Sequence, residues 1–155
     1  MTILTLNGNW EFSQSDKNVW HAATVPGCVH TDLLAAGEIP EPYFRDNELA
    51  LQWIGEKDWV YCKRFTVTAE LLQHDKLILR CNSLDTLATI EINGQEIGRA
   101  NNQFRVWEFD VKEAVQAGEN EIVITFESAL NYCLTNNSER YMHAWEQLRW
   151  GAVYP

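Results

Sequence analysis

Positive charge is scarce in this sequence: 12 Lys+Arg stand against 22 Asp+Glu in 155 residues, a formal net charge of −10. Binding to a phosphate backbone needs a basic stripe, and the few basic residues here are scattered, so nucleic acid is excluded as an expected partner. An anionic membrane surface is disfavoured on the same ground. No stretch approaches the roughly 18–20 apolar residues of a membrane span. The opening MTILTLNGNWEF carries no basic region ahead of a long apolar one, so no signal peptide is visible and a soluble, cytoplasmic protein is the expectation. The four cysteines, Cys28, Cys62, Cys81 and Cys133, form no CxxC pair. That spacing argues against a zinc knuckle or a redox dithiol, and leaves reduced, buried thiols as the expectation. Phosphate-cradling GxxxxGK[ST] and GxGxxG loops are missing, as is the GxSxG elbow of serve-and-return serine chemistry, so no nucleotide or other cofactor is expected. Internal repeats, heptads and low-complexity tracts are absent too.

What is present points to β structure. A chain of this length fits one domain, since domains commonly hold roughly 100–150 residues and at that size can build a core without staples. Turn residues recur at short intervals between apolar runs of period two, the pattern of an antiparallel β protein. Leu77, Leu79 and Cys81 face one way and Ile78 and Arg80 the other. Ile90 and Ile92 alternate with Thr89 and Glu91 ahead of Asn93-Gly94, the strongest short hairpin signal. Residues 106–110 read as another strand. Residues 111–120 read as one helical turn or 3₁₀ segment closed by Gly118, after which Ile122, Ile124 and Phe126 alternate in a last strand.

Upstream, Trp59, Tyr61, Lys63 and Phe65 share one face of a strand whose other face also carries bulk, which makes it central. Residues 3–6 and 10–13 read as the first two strands, with Asn7-Gly8 turning between them. Residues 25–54 form a long irregular excursion with one short helical run, 29–36, stopped by Gly37. Such an excursion in a compact β domain is usually functional or packs over a sheet. About eight short strands thus predict an all-β, two-sheet antiparallel jelly-roll or galactose-binding-like sandwich over 1–130. Residues 131–155 lose the alternation and show neither a clean strand nor a capped helix. They carry Trp145 and Trp150, and read as a truncated or divergent connecting tail.

The chemistry-bearing residues leave few options. Cys28, His30 and Asp32 would offer alternate ligands only in an extended chain; they read better as a helix start capped by Thr31 or His30, so no metal site is expected. The seven tryptophans are the unusual feature, because a Trp ring suits a core and a sugar-stacking surface equally. Trp10, Trp20 and Trp107 read as core. Asp46, Glu48, Glu56 and Asp58 differ from the other acids in sitting among Tyr43, Phe44, Trp53 and Trp59. Aromatic rings beside carboxylates and amides suit sugar recognition, the ring meeting C–H faces and the polar groups meeting hydroxyls. The same rings also read as sandwich core with solvated acids beside them.

The runs VPGCVHTDLLAAGEIPEPYF and DNELALQWIGEKDWVYCKRFTV, then LDTLATIEINGQEIGRANNQFRVWEFDV and GENEIVITFES, strongly resemble the N-terminal domain of β-mannosidases of glycoside hydrolase family 2. The likeness covers about residues 4–130. It rests on Val25-Pro26-Gly27, His30-Thr31-Asp32, Asn47, Gln52-Trp53, Asp58-Trp59 and Asp85-Thr86. The resemblance implies a jelly-roll sugar-binding domain, non-catalytic by itself, which packs on a (β/α)₈ barrel and helps to shape a pocket for terminal β-D-mannosides. It places both catalytic glutamates on that barrel, so no catalytic residue is expected here, and it implies Asn47, Trp53, Asp58 and Trp59 as substrate-binding or loop-positioning residues. Its partners would be a terminal β-mannoside or oligosaccharide and the downstream domains of the same enzyme. Two departures stand out: YMHAWEQLRWGAVYP does not carry the family's Trp-Asp-Trp-Gly-Pro motif, and Asn102-Gln103-Phe104 replaces a Met-containing segment. The alternative is a stand-alone carbohydrate-binding or structural sandwich.

Overall fold

The computed structural model describes residues 2–137; the expectations placed on Trp145, Trp150 and most of the tail lie outside that range. Eight strands form two antiparallel sheets. They are β1 (Gly8–Gln14), β2 (His21–Val25), β3 (Trp59–Val67), β4 (Ile78–Cys81), β5 (Leu87–Ile92), β6 (Gln95–Ala100), β7 (Trp107–Asp110) and β8 (Gly118–Glu127). The larger sheet runs β2-β1-β3-β8-β5-β6 and the smaller pairs β4 with β7. This is the expected galactose-binding-like sandwich. Its second layer is completed by non-strand chain: helix α1 (Val29–Ala35), the short α2 (Asn47–Ala50) and the 3₁₀ turn Gln52–Glu56 all belong to the excursion between β2 and β3.

β3 is central, as its two-sided bulk predicts, with β1 on one flank (Phe12 opposite Tyr61) and β8 on the other (Tyr61 opposite Ile124). The inner face stacks Phe12, Trp59, Tyr61, Ile90, Ile92, Ile122 and Ile124 into one core, which Leu33, Ile39, Leu51 and Ile54 of the excursion close from above. Lys63 also points to this face, near the rim. It reaches out to donate to Asn9 O at 2.7 Å, with its ammonium 6.0 Å from the Trp10 ring centroid.

Asn93 (φ 52°) and Gly94 (φ 77°) both take the left-handed conformation that a two-residue hairpin needs, linking β5 to β6. Asn93 does more than turn. Its Oδ1 accepts from Glu121 N (3.0 Å) and its Nδ2 donates to Ala114 O and Asn120 Oδ1 (both 2.8 Å). Buried Asn120 satisfies its remaining capacity on Gln116 and Gly118, so the hairpin tip is welded to the start of β8.

Several expectations fail for identifiable reasons. Residues 3–6 are not a strand; Leu6 packs on the core while its carbonyl accepts Trp10 Nε1 at 2.7 Å, and Gly8 (φ 97°) opens β1 instead of ending a hairpin. On the side away from β3, β1 pairs with β2, whose Ala22-Ala23 pair hides it from a propensity reading. The single turn expected in 111–120 is present, with Ala114 N and Val115 N donating to Val111 O (3.0 and 3.2 Å), but Gly118 (φ 95°) begins β8 and does not close it. Trp20 is 44% exposed, not core, with Nε1 donating to Asn18 Oδ1 at 3.3 Å, whereas Trp10 is buried and Trp107 packs against the core half-buried. Cys28 and Cys133 are exposed, so only Cys62 and Cys81 approach the buried thiols expected; all four are free. The segment after residue 130 opens as a capped helix, α3 (Ala129–Asn137), with Ser128 Oγ accepting from Asn131 N at 3.0 Å.

The two sheets approach most closely where β6 faces β7. A Cβ on Gly98 would lie 2.4 Å from Phe109 Cε1, and that ring is parallel to Trp107 (3°, centroids 6.3 Å apart). Gly98→Ala therefore forces the ring or the sheet to move. Urea unfolding should show a loss of about 1–3 kcal/mol, the ordinary cost of overpacking, partly recovered by adding Phe109→Leu.

Candidate functional site

The four residues singled out from the sequence fall on one stretch, from α2 through the 3₁₀ turn into β3. Asn47 opens α2, half-buried, with Nδ2 donating to Glu41 O at 2.8 Å. Its side chain pins the turn that carries Tyr43 and Phe44. Gln52 Nε2 donates back to Glu48 O at 2.9 Å, joining α2 to the 3₁₀ turn. Trp53 follows, half-buried, its ring tilted 44° to that of Trp59 at 6.2 Å. Trp59 itself is 7% exposed and donates Nε1 to Ile54 O at 3.0 Å, so it anchors the turn from inside the core and offers no open ring face.

Asp58 is committed as well. Its Oδ1 accepts from Ser128 N at 2.7 Å, at the point where β8 passes into α3. Ser128 Oγ donates to Gly55 O (2.6 Å), and Asn131 Nδ2 donates to Glu56 O (2.8 Å). Residues 55–58 are thereby clamped to the start of α3 by three bonds. A groove of about 230 Å³ opens beside this clamp, lined by Asp16, Glu56, Lys57, Asp58 and Asn131 among others. The structure thus brings Glu56 and Asp58 together and adds Asp16 and Asn131, which sequence reading missed because they lie far away along the chain. Asn47 and Trp53 do not line this groove. A larger groove, about 560 Å³, lies on the small sheet and is lined by Arg80, Arg105, Trp107 and Glu108, none of them among the four.

A second missed cluster sits beneath α1. Asp32 is 5% exposed; Oδ2 accepts from Tyr61 OH (2.8 Å) and Oδ1 from Thr24 N (3.2 Å). The signal was its position one residue from Leu33 on the inward face of α1. With Asp32 turned inward, it does not join Cys28 and His30 as a ligand set. The N-cap is Cys28, while Thr31 is three residues on, accepting from Cys28 N (3.3 Å) and donating to Cys28 O (2.7 Å), in place of the Thr31 or His30 cap expected.

Burial first, then the Asp32 carboxylate, holds the Tyr61 phenol well above its ordinary range. Burial alone pushes the Cys81 thiol up to about 11, and burial with Glu11 beside it raises Cys62. Neither thiol is activated for nucleophilic work. What the excursion presents is an amide, a partly open indole and several carboxylates on rigid turns. These groups can bind hydroxyls and stack on a sugar, without a nucleophile and base in mutual contact.

Such a fold, with its polar and aromatic groups on one long excursion, defines a galactose-binding-like sandwich. Residues 10–153 match the glycosyl hydrolase 2 galactose-binding domain-like family, and the chain belongs to it. It is 41% identical over 134 residues to a probable β-mannosidase of Caenorhabditis elegans, covering 84% of this chain and 14% of that protein. It is 34% identical over 142 residues to the β-mannosidase of Bos taurus, covering 92% of this chain and 16% of that protein. The crystal structure of a β-D-mannosidase from Dictyoglomus thermophilum superimposes with a TM-score of 0.87 at 40% identity, over 92% of this chain and 18% of that one. An exo-chitosanase from Amycolatopsis orientalis shares the fold at 16% identity and a TM-score of 0.67. The chain therefore spans about a sixth of the length of these relatives. Among the described residues, no helix is long and apolar enough to cross a membrane.

Proposed function

We propose that this chain is the N-terminal, non-catalytic sandwich of a β-mannosidase-like glycoside hydrolase, packing on a (β/α)₈ barrel and helping to shape the pocket for terminal β-D-mannosides. The observation that carries the reading is the likeness to β-mannosidases at 34–41% identity across 84–92% of the chain. In the parent enzyme, two barrel carboxylates about 5–5.5 Å apart would act by double displacement with retention. On this reading Asn47 and Trp53 face the sugar, one through its amide and the other through its ring, while Asp58 and Trp59 hold their turn in place. The four free thiols suit a reducing compartment, and we place the parent in the cytoplasm on that ground.

The test is a graft. The purified chain should release no 4-nitrophenol from its β-mannoside above buffer. Set in place of the matching segment of the Dictyoglomus thermophilum enzyme, it should support turnover, and Asn47→Ala should raise KM there more than it lowers kcat. An inactive but folded graft would overturn the proposal. So would a calorimetric heat of mannobiose binding to the isolated chain that Trp53→Ala abolishes with the circular dichroism unchanged, which would favour a stand-alone lectin.

A further inference from the structure

Exposed apolar side chains are spread over this domain, as on any protein surface. Ile3–Leu4, Val19–Trp20 and Phe104–Val106 form exposed pairs along the chain, and the turn system at 41–50 carries a group of three. Tyr43 is 91% exposed, Phe44 57% and Leu49 69%, all within seven residues. Hydrogen bonds tie this segment together. Phe44 N donates to Glu41 O (3.2 Å), Asn47 N to Phe44 O (3.3 Å) and Leu49 N to Asp46 O (3.0 Å), while the Asn47 side chain ties the whole to Glu41 O. Arg45 adopts φ 55° and lays its guanidinium over the Phe44 ring, 5.1 Å from the centroid. Two aromatic rings and a leucine are thus presented to water on fixed backbone, an arrangement that costs folding nothing to bury against another surface and little ordering entropy to dock.

We infer that this Tyr43–Phe44–Leu49 surface is where the polypeptide that follows the domain in its parent enzyme docks. The inference rests on the function proposed above and names the contact surface. Three observations select that occupant over a second copy of the chain. The matched relatives are six to seven times longer than their matching segment, which covers 14% and 16% of their lengths, so most of the polypeptide in such proteins lies outside this domain. The 3₁₀ turn Gln52–Glu56 packs against both α2 and α3, so a single turn links the exposed surface to the start of the last described helix. Finally, exposed Glu41, Asp46 and Glu48 alternate along the chain with the apolar residues, and Arg45, the one basic residue in the segment, is turned onto Phe44. Two such acidic segments would repel each other in a symmetric pair; the complementary surface is an apolar patch edged with Lys or Arg.

The graft into the Dictyoglomus thermophilum enzyme tests this with readouts other than turnover. Hydroxyl-radical oxidation of Tyr43 and Phe44 should be fast in the isolated chain and fall several-fold in the graft. The triple variant Tyr43→Ser/Phe44→Ser/Leu49→Ser should lower the melting temperature of the graft by several degrees and leave that of the isolated chain unchanged. Equal oxidation in both settings overturns the inference, even if the graft is active. Protection in a folded but inactive graft supports the docking surface while the assigned activity fails. A concentration-dependent dimer of the isolated chain in sedimentation equilibrium, dissociated by the triple variant, assigns the surface to a second copy and overturns the inference. The Bos taurus enzyme provides a second scaffold. Failure of the chain to fold within either one also counts against it, because a matched surface must be accommodated.

Discussion

Asp32→Ala is expected to cost about 2–4 kcal/mol of folding stability, because the buried Tyr61 hydroxyl loses its acceptor and a hole opens under α1. The carboxylate links three elements that local sequence does not join: α1, which carries it, β2 through Thr24 N, and β3 through Tyr61. Asp32→Asn keeps the shape and one acceptor and should cost less. Tyr61→Phe should also cost less than Asp32→Ala, and the double variant should cost less than the sum of the two, since both singles break one contact. The same pair sets an alkaline limit. The folded state holds Tyr61 protonated above the ordinary phenol value of 10.0, so below that pH the folded and unfolded chains bind equal protons at this site. As the pH rises past 10.0 the unfolded chain releases the proton and the folded chain does not, so stability falls. Urea unfolding from about pH 8 to 11 should show the decline, and Tyr61→Phe should flatten its share of it.

Phe12→Ala is the second large effect. Phe12 has 0% exposure and its ring meets those of His21, Trp59 and Tyr61 at centroid distances of 5.7, 5.9 and 5.6 Å. Large-to-small changes at such sites cost about 3–5 kcal/mol, because rigid aromatic neighbours cannot close the hole. At about 2–4 °C per kcal/mol for a domain of this size, the melting temperature should drop by about 6–20 °C. Phe12→Leu, which keeps most of the volume, should cost under about 1.5 kcal/mol. A Phe12→Ala variant with an unchanged calorimetric midpoint would mean that the aromatic cluster is not the keystone of the large sheet.

The sequence showed every strand but β2, most plainly those with full alternation, β3, β5 and β8, and also β1, β4 and β7 at 10–13, 77–81 and 106–110. β2 was hidden by alanines that acquire strand geometry only through pairing with β1. In the excursion before β3 the helical run ahead of Gly37 was legible and is α1, whereas α2 and the 3₁₀ turn were not, since each is barely a turn long and shows no complete helical period. At the candidate site, Asn47, Trp53, Asp58 and Trp59, which the family resemblance implies, lie on one stretch of chain from α2 into β3. What sequence could not show was how far three of them are already occupied: Asn47 gives its amide N–H to Glu41 O. Trp59 spends its N–H on Ile54, and the partner of Asp58 is Ser128, seventy residues on. Several positions that carry the β-mannosidase likeness do structural work of this kind: Asp32 under α1, Asp58 at Ser128, Trp59 in the core.

The clamp at Ser128 gives the domain a mechanical character. Gly55, Glu56 and Asp58 on one side, and Ser128 and Asn131 on the other, share three hydrogen bonds at the spot where the sandwich ends and α3 begins. The indole of Trp53 rides on the turn that this joint holds. A displacement of α3 would therefore act at two places at once, on β8 through the chain itself and on the Trp53 turn through these three bonds.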